Sequence, residues 1–320
     1  MVLASPAVTE PARNAELPTD WRRWVLGARP RTLPAAVAPV VVGTAAALPA
    51  VAGSDGLELD EVRWWAALCA LGVALFVQVA TNYANDYSDG RRGTDAPGAR
   101  IGPPRLVGNG LATPGEVKRA MLVAFALTAL CGLPLVLWVE PLLVLVGLAA
   151  IAAGWFYTGG PRPYGYAGYG ELFVFVFFGL VATVGSTYVQ LERITWLSVL
   201  CGVAMGLLAT ALLVVNNLRD IPGDTASGKR TLAVVLGERR TRLLFVALLV
   251  AAMVVVPFIA GGSGRPLAAL ALLAVVPARR PVTAVLGGAR GPQLIPVLGH
   301  TGQVQALYAV LLSVGLALSL

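Results

Sequence analysis

The chain has 320 residues, of which 57% are hydrophobic and 13% are charged, and its mean hydropathy is +0.75. This composition excludes an ordinary soluble domain, in which about a quarter of the residues carry a charge. His300 is the only histidine, and Cys69, Cys131 and Cys201 lie far apart. The sequence therefore offers little material for a histidine metal site, a Ser/His triad or a disulfide framework.

Apolar runs of about 17–25 residues recur along the chain, and this length crosses the ~30 Å hydrocarbon core of a bilayer. Residues 1–20 are polar and contain Pro6, Pro11 and Pro18, so we expect a disordered cytoplasmic tail rather than a signal peptide. Residues 21–320 are predicted to form a single transmembrane domain, an all-α bundle of about nine helices. The predicted spans are 32–51, 62–83, 120–138, 142–157, 172–190, 195–215, 243–259, 266–276 and 303–320.

The distribution of charge predicts how this bundle is oriented. If the N-terminus is cytoplasmic, only Arg63, Arg193 and Arg265 of the 24 Lys and Arg residues fall on the outer side. The short outer loops then carry acids instead: Asp55, Glu58, Asp60, Glu61, Glu140 and Glu192. Because positive charge accumulates on the cytoplasmic side of membrane proteins, we expect a multi-pass protein of the cell membrane with a cytoplasmic N-terminus. The bilayer is its expected environment, and a nucleic-acid partner is not expected.

A first polar cluster, residues 82–95, follows the second predicted span and reads Asn-Tyr-Ala-Asn-Asp-Tyr-Ser-Asp-Gly-Arg-Arg-Gly-Thr-Asp. Charged groups at bilayer depth are costly and usually functional. Asn82, Asp86 and Asp89 are spaced to share one helix face. Carboxylates about 4 Å apart repel by roughly 4 kcal/mol at an effective dielectric near 20, and a divalent cation relieves that repulsion. Oxygen ligands without a nearby His or Cys favour Mg²⁺.

A second polar cluster, residues 216–230, reads Asn-Asn-Leu-Arg-Asp-Ile-Pro-Gly-Asp-Thr-Ala-Ser-Gly-Lys-Arg. Asn216 and Asp220 are again four residues apart, whereas Pro222-Gly223 is predicted to end the helix and leaves the direction of Asp224 open. Both clusters are predicted to open to the cytoplasm. Acids with neighbouring cations suit a polyanionic substrate, with Mg²⁺ bridging aspartates to phosphate oxygens and Lys or Arg neutralising the remainder. The plainer interpretation, two solvated helix ends, does not explain why five of eight aspartates lie in these two clusters.

Two short motifs in these clusters resemble a known family. Asn85-Asp86-x-x-Asp89 and Asp220-x-x-x-Asp224 resemble the paired motifs of the UbiA superfamily of intramembrane aromatic prenyltransferases. The longer strings that begin at Ala28, Asn82 and Asn216 resemble the branch that prenylates 1,4-dihydroxy-2-naphthoate in menaquinone biosynthesis, and the resemblance runs from about residue 21 to the C-terminus. Where the superfamily commonly has a further acid, this chain has Gly93, and Asp95 is expected to replace it. Asn82-x-x-x-Asp86 is an equally good register for the first Asn/Asp pair.

The resemblance implies an enzyme that uses Mg²⁺ to transfer a polyprenyl group from polyprenyl diphosphate to 1,4-dihydroxy-2-naphthoate, with decarboxylation, giving demethylmenaquinone. Its metal ligands would be Asp86, Asp89, Asp95, Asp220 and Asp224, and its catalytic residues Asp86, Asp89, Asp220, Asp224 and Lys229. Its substrate contacts would be Asn82, Asn85, Arg105, Tyr157, Asn216, Asn217 and Arg230. Tyr157, with Tyr83 and Tyr87, is a candidate for shielding the allylic cation through cation–π contact.

Two alternatives stay open at this point. A prenyltransferase of the same family could use another aromatic acceptor, such as 4-hydroxybenzoate. A secondary transporter or cation channel would also carry intramembrane acids. It would favour acids at mid-span and inverted repeats, whereas these acids lie at span ends and spans one to four resemble spans five to eight only loosely.

Overall fold

A computed structural model of the protein describes residues 17–52, 60–94, 102 and 104–319. Most of the predicted tail, and Asp95, lie outside these residues. The described part is helical, without a strand. Its helices are α1 (Arg22–Ala28), α2 (Pro34–Val51), α3 (Trp64–Arg92), α4 (Pro114–Trp138), α5 (Leu143–Phe156), α6 (Gly170–Leu191), α7 (Trp196–Ala226), α8 (Leu232–Ser263), α9 (Pro266–Leu286) and α10 (Gly291–Leu318).

Eight of these helices, all except α1 and α5, are long and apolar enough to cross a membrane. Helix α5 is a shorter apolar helix of 14 residues. The all-α, multi-pass membrane architecture expected from the sequence is confirmed. The count of nine spans and the cytoplasmic N-terminus stay predictions.

The two helices that carry the polar clusters are longer than predicted. Helix α3 continues through Asp86 and Asp89 and ends at Gly93, whose φ of 72° is a left-handed cap. Helix α7 continues through Pro222 to Ala226, so the prediction that Pro222-Gly223 ends this helix is wrong. A proline removes one backbone hydrogen bond, but a membrane helix tolerates that loss where neighbouring groups satisfy the freed carbonyl. As a result, Asp224 has a defined direction.

Most buried apolar side chains belong to two separate cores, and a small third cluster of Ala66, Leu135 and Val189 joins α3, α4 and α6. The larger core contains side chains of α2 and α7 to α10, including Met205, Phe245 and Tyr308. The smaller core joins α1, α3 and α4 to the loop before α4, around Leu106 and Phe125. Helix α5 packs against α3 and α4, while α6 packs against α2 and α7. A cavity lies between these two groups of helices.

Helices α2 and α6 approach each other closely at Gly43. A Cβ atom at this position would lie 2.2 Å from the carbonyl oxygen of Thr183. Next to it, the Thr187 hydroxyl donates to the Gly43 carbonyl oxygen at 2.6 Å. Val40 and Ser186 of the same two helices line the cavity. The Gly43 contact therefore sets the distance between α2 and α6 where these two helices form part of the cavity wall.

Gly43→Leu is expected to lower the free energy of unfolding by about 1–3 kcal/mol or more, because the added side chain overpacks this contact. Thermal unfolding in detergent measures the effect. Gly261→Leu is the matched control, since a Cβ built at Gly261 meets no described atom within 4 Å outside its own helical turn and its chain neighbours. Equal unfolding temperatures for the two variants would contradict this role of Gly43.

Candidate active site

The two polar clusters meet at one buried ion pair. The Lys229 ammonium group donates to Asp89 Oδ2 at 2.9 Å, across 140 residues of chain. Both side chains are almost completely buried. An ion pair removed from water in this way holds only where geometry and further hydrogen bonds compensate the desolvation of both charges. The pair fixes the end of α3 against the segment that follows α7.

Tyr166 completes this ion pair, and the sequence analysis did not select it. Its hydroxyl donates to Asp89 Oδ1. The Lys229 ammonium lies 4.6 Å from the centre of the Tyr166 ring, and the Arg92 guanidinium lies 5.2 Å from it. Burial, with the Asp89 carboxylate as the next cause, raises the pKa of the Tyr166 phenol, so the residue remains a donor. In the sequence, Tyr166 is marked only by its position in a loop rich in Gly, Pro and Tyr that follows α5.

The loop that carries Tyr166 is held by backbone contacts. Arg92 donates to the carbonyl oxygens of Thr158 and Gly160. The backbone N–H of Arg230 donates to the Tyr166 carbonyl oxygen at 3.0 Å. The Arg230 side chain is exposed, so it is the backbone of this predicted substrate residue that contacts the site.

In the first cluster, Asn82 and Asp86 bind neighbouring loops. The Asn82 amide donates to the Ala28 carbonyl oxygen at 2.9 Å and to Thr32 Oγ1 at 3.3 Å. The Asp86 carboxylate accepts from the backbone N–H groups of Leu106 at 3.1 Å and Val107 at 3.3 Å. Both side chains thus hold the chain segments that border the polar end of the cavity.

In the second cluster, Asp220 pairs with its neighbour Arg219. The guanidinium donates to both carboxylate oxygens, at 2.7 and 2.8 Å, and both side chains are buried. Arg219 also donates to Asn216 Oδ1 at 2.9 Å. Asp224, one turn further on, lies 3.4 Å from the Thr231 hydroxyl. Asp220 thus pairs with Arg219, while Asp224 lines the cavity.

The cavity has a volume of about 550 Å³ and contains polar and apolar parts. Nine of the predicted site residues line it: Asn82, Asn85, Asp89, Arg105, Tyr157, Asn216, Asn217, Asp224 and Lys229. Asp86, Asp220 and Arg230 are not among the described residues that line it. Arg29 and Arg31, which the sequence analysis did not select, add positive charge to the wall.

An aromatic row forms one apolar wall of the cavity: Tyr157, Tyr164, Phe173 and Phe177. Consecutive ring centres in this row are separated by 5.5, 3.9 and 6.1 Å. The row leads from the loop after α5 into α6, where residues Phe175–Val181 form a π-helical segment. Tyr83 and Tyr87 lie elsewhere: Tyr83 donates to the Trp24 carbonyl oxygen, and Tyr87 stacks on Trp155. Only Tyr157 of the three tyrosines considered from the sequence therefore lies at the cavity.

The oxygen donors at the polar end suit a magnesium ion. Among the described residues, no three of His, Cys, Asp and Glu come together as a metal site. Asp89 and Asp224 nevertheless face the same cavity, with only amide and hydroxyl oxygens as further uncharged ligands. Mg²⁺ typically binds one or two carboxylates and completes its shell with water and phosphate oxygens. This donor set suits that ion better than zinc.

Comparison with known proteins identifies the family. Residues 36–287 match the UbiA prenyltransferase family. The 1,4-dihydroxy-2-naphthoate octaprenyltransferase of Mycobacterium tuberculosis is 48% identical over 298 residues, which cover 93% of this chain and 98% of that protein. The Bacillus subtilis protein of the same name is 32% identical, with 91% of each chain covered. A UbiA homologue from Archaeoglobus fulgidus, solved bound to GPP and Mg²⁺, shares the fold with a TM-score of 0.60 at 14% identity, over 92% of this chain and 99% of that one. The chain therefore belongs to the UbiA prenyltransferase family.

Proposed function

We propose that the protein transfers a polyprenyl group from polyprenyl diphosphate to 1,4-dihydroxy-2-naphthoate, with loss of the ring carboxyl group and with Mg²⁺ as cofactor. The observation that carries this proposal is one cavity in which an ionic end continues into an aromatic-lined body between membrane helices. Such a cavity matches a substrate with a diphosphate head and a hydrocarbon tail. Relatives named for this activity and alignable over almost the whole chain support the acceptor. Membership of the family argues against a transporter or channel.

The reaction replaces one bond to the prenyl carbon by another. The bond from this carbon to the diphosphate oxygen breaks, a bond to the acceptor ring forms, and the carboxyl group leaves as carbon dioxide. The product is the reduced form of demethylmenaquinone, so the step needs no oxidant. Lys229 is positioned to neutralise the charge that develops on the departing diphosphate. A bound magnesium ion would supply further charge stabilisation there, held by Asp89 and Asp224.

The aromatic row has a separate role in this proposal. Its rings present apolar surface to the prenyl chain and exclude water from the reacting carbon. An aromatic face also stabilises a nearby cation by about 0.5–2 kcal/mol. Tyr157 directly precedes Thr158, whose hydroxyl is bonded to Asn85 of the first cluster, so we assign Tyr157 to the allylic carbon.

Asp86 and Asp220 support the ionic end in a different way. Asp86 holds the loop at Leu106 and Val107, and Asp220 holds Arg219.

We infer that the ionic end of the cavity opens to the cytoplasm of the cell, because the positive-inside pattern favours that orientation. A soluble diphosphate product and a soluble acceptor would then exchange with the cytoplasm.

Purified protein with Mg²⁺, 1,4-dihydroxy-2-naphthoate and octaprenyl diphosphate is expected to release carbon dioxide and form octaprenylated naphthalenediol. Mass spectrometry of the lipid extract detects the product, and EDTA should abolish it. Other prenyl chain lengths and 4-hydroxybenzoate are supplied in parallel. Prenylation of 4-hydroxybenzoate without any naphthoate product would overturn the proposed acceptor.

Asp89→Asn and Asp224→Asn are each expected to lower kcat/KM by about 10²–10³-fold, since each removes a charge aimed at the reacting groups. Binding of Mn²⁺ in the presence of a non-reactive diphosphate analogue, followed by electron paramagnetic resonance, should weaken in both. Exposed Asp60 provides the matched control, Asp60→Asn. Normal metal binding in both cavity variants would refute the assignment of these carboxylates.

Lys229→Met is expected to raise KM for the prenyl diphosphate by about 10–100-fold, the range of a lost hydrogen bond to a charged group. KM for the naphthoate should change by less than about twofold. Exposed Lys118 supplies the control Lys118→Met. If KM for the diphosphate is unchanged while the protein remains folded, Lys229 serves only to neutralise Asp89.

A further inference from the structure

A buried acid outside both motifs contacts the cavity wall. Glu171, in the first turn of α6, is 6% exposed. Its Oε1 accepts a hydrogen bond from Asn217 Nδ2 at 3.0 Å. Its Oε2 has no hydrogen-bond partner among the described residues. Burying a carboxyl group is costly, and such groups inside a membrane bundle are usually functional. Neither the metal role nor the diphosphate role described above uses Glu171.

Glu171 fixes which end of the Asn217 amide points to the cavity. An asparagine side chain has one donor end and one acceptor end. Because Glu171 accepts through Oε1, Asn217 must turn its NH₂ group toward α6. Asn217 lines the cavity, so its Oδ1 is the end that remains for a ligand. The wall thus offers a hydrogen-bond acceptor at this position.

The neighbouring amides make the contrast clear. Asn216 Oδ1 accepts from Arg219, and a guanidinium only donates, so Asn216 keeps its NH₂ group for the cavity. Asn85 Oδ1 is bonded to the Thr158 hydroxyl at 2.8 Å. A hydroxyl both donates and accepts, so Asn85 can turn either way. Among these three cavity amides, only Asn217 is held as an acceptor by a charged or acidic partner.

The depth of Asn217 distinguishes it from the diphosphate site. Asp224 is seven residues further along α7, which corresponds to about 10 Å of helix. Asn217 is therefore deeper in the bundle than Asp224, on the same face of α7. Leu213, one turn deeper again, and the Tyr157 ring both lie within 4 Å of a Cβ built on Gly170, the residue before Glu171. The contact between Glu171 and Asn217 thus lies next to Tyr157 of the aromatic row, about two helical turns deeper than Asp224.

We propose that Glu171 is a positioning residue that holds Asn217 as the hydrogen-bond acceptor for a ring hydroxyl of the aromatic acceptor. The flat ring lies along the aromatic row, and its hydroxyl donates to Asn217 Oδ1. This contact orients the ring toward the prenyl carbon and increases its electron density. The inference rests on the proposed function for the identity of the acceptor. It explains why an acid is buried where only a neutral amide faces the substrate.

Steady-state kinetics of four variants test the proposal. Glu171→Met is expected to raise KM for the naphthoate about 10-fold, the effect of one lost or misdirected hydrogen bond. KM for the prenyl diphosphate should change by less than about twofold. Glu171→Gln is expected to restore normal KM, because the glutamine can turn its oxygen to Asn217. Glu171→Asp, which is too short to reach Asn217, should resemble Glu171→Met and decides the test if the methionine variant does not fold.

Glu192→Met is the matched control, since Glu192 caps the opposite end of α6 and is half exposed. Its naphthoate KM should equal that of the wild type. Equal increases of both KM values in Glu171→Met, or a glutamine variant as impaired as the methionine variant, would overturn the positioning role.

Substrate analogues separate this inference from the proposed function. The two monomethyl ethers of 1,4-dihydroxy-2-naphthoate each lack one donating hydroxyl. One of them should bind the wild type about 10-fold more weakly than the parent compound, and the same ether should bind Glu171→Met without a further loss. If the wild type binds both ethers as tightly as the parent compound, the inference is overturned, even when naphthoate is prenylated. Absence of any naphthoate product overturns the proposed function instead.

Discussion

The structure depends on one buried ion pair, between Asp89 and Lys229. It joins two residues 140 positions apart, one from each polar cluster, at the polar end of the cavity. Breaking a buried pair by removing one partner typically costs about 3–5 kcal/mol, because the other charge is left without compensation. In the folded protein the Tyr166 hydroxyl donates to Asp89 and the Tyr166 ring faces Lys229, and both contacts offset part of the desolvation of the two charges. A diphosphate that enters the cavity meets a lysine already held at the correct end.

Polar side chains in these membrane helices divide into two groups. Gln78, Asn82 and Asp86 bind loop backbone or a loop hydroxyl, and so hold the segments that border the site. Gln78 and Asn82 also line the cavity, where Asp89 and Asp224 supply the acidic groups. Backbone groups of a loop near a membrane need partners, because few waters compete for them there. The first motif therefore has a structural part and a chemical part, and neighbouring residues of one helix face serve both.

The sequence was sufficient to predict the fold class, both clusters and nine cavity residues, because costly polar groups in apolar spans are visible without a structure. The end of α7 was not predictable in this way. A proline rule describes an isolated helix, whereas here a membrane bundle permits the helix to continue past Pro222. Tyr166 and Glu171 were missed for a different reason. Each acts through a partner distant in sequence, and spacing along one helix carries no information about that partner.

Two uncharged amides also give the cavity wall opposite hydrogen-bonding characters at one place. Asn216 and Asn217 are adjacent and chemically identical, yet Arg219 and Glu171 turn them in opposite directions. Asn216 offers donors to the cavity, and Asn217 offers an acceptor beside the aromatic row. Charges buried behind the wall thus determine the polarity of neutral groups on its surface. A membrane enzyme can in this way vary the hydrogen-bonding character of its cavity wall without placing a bare charge against the hydrocarbon tail.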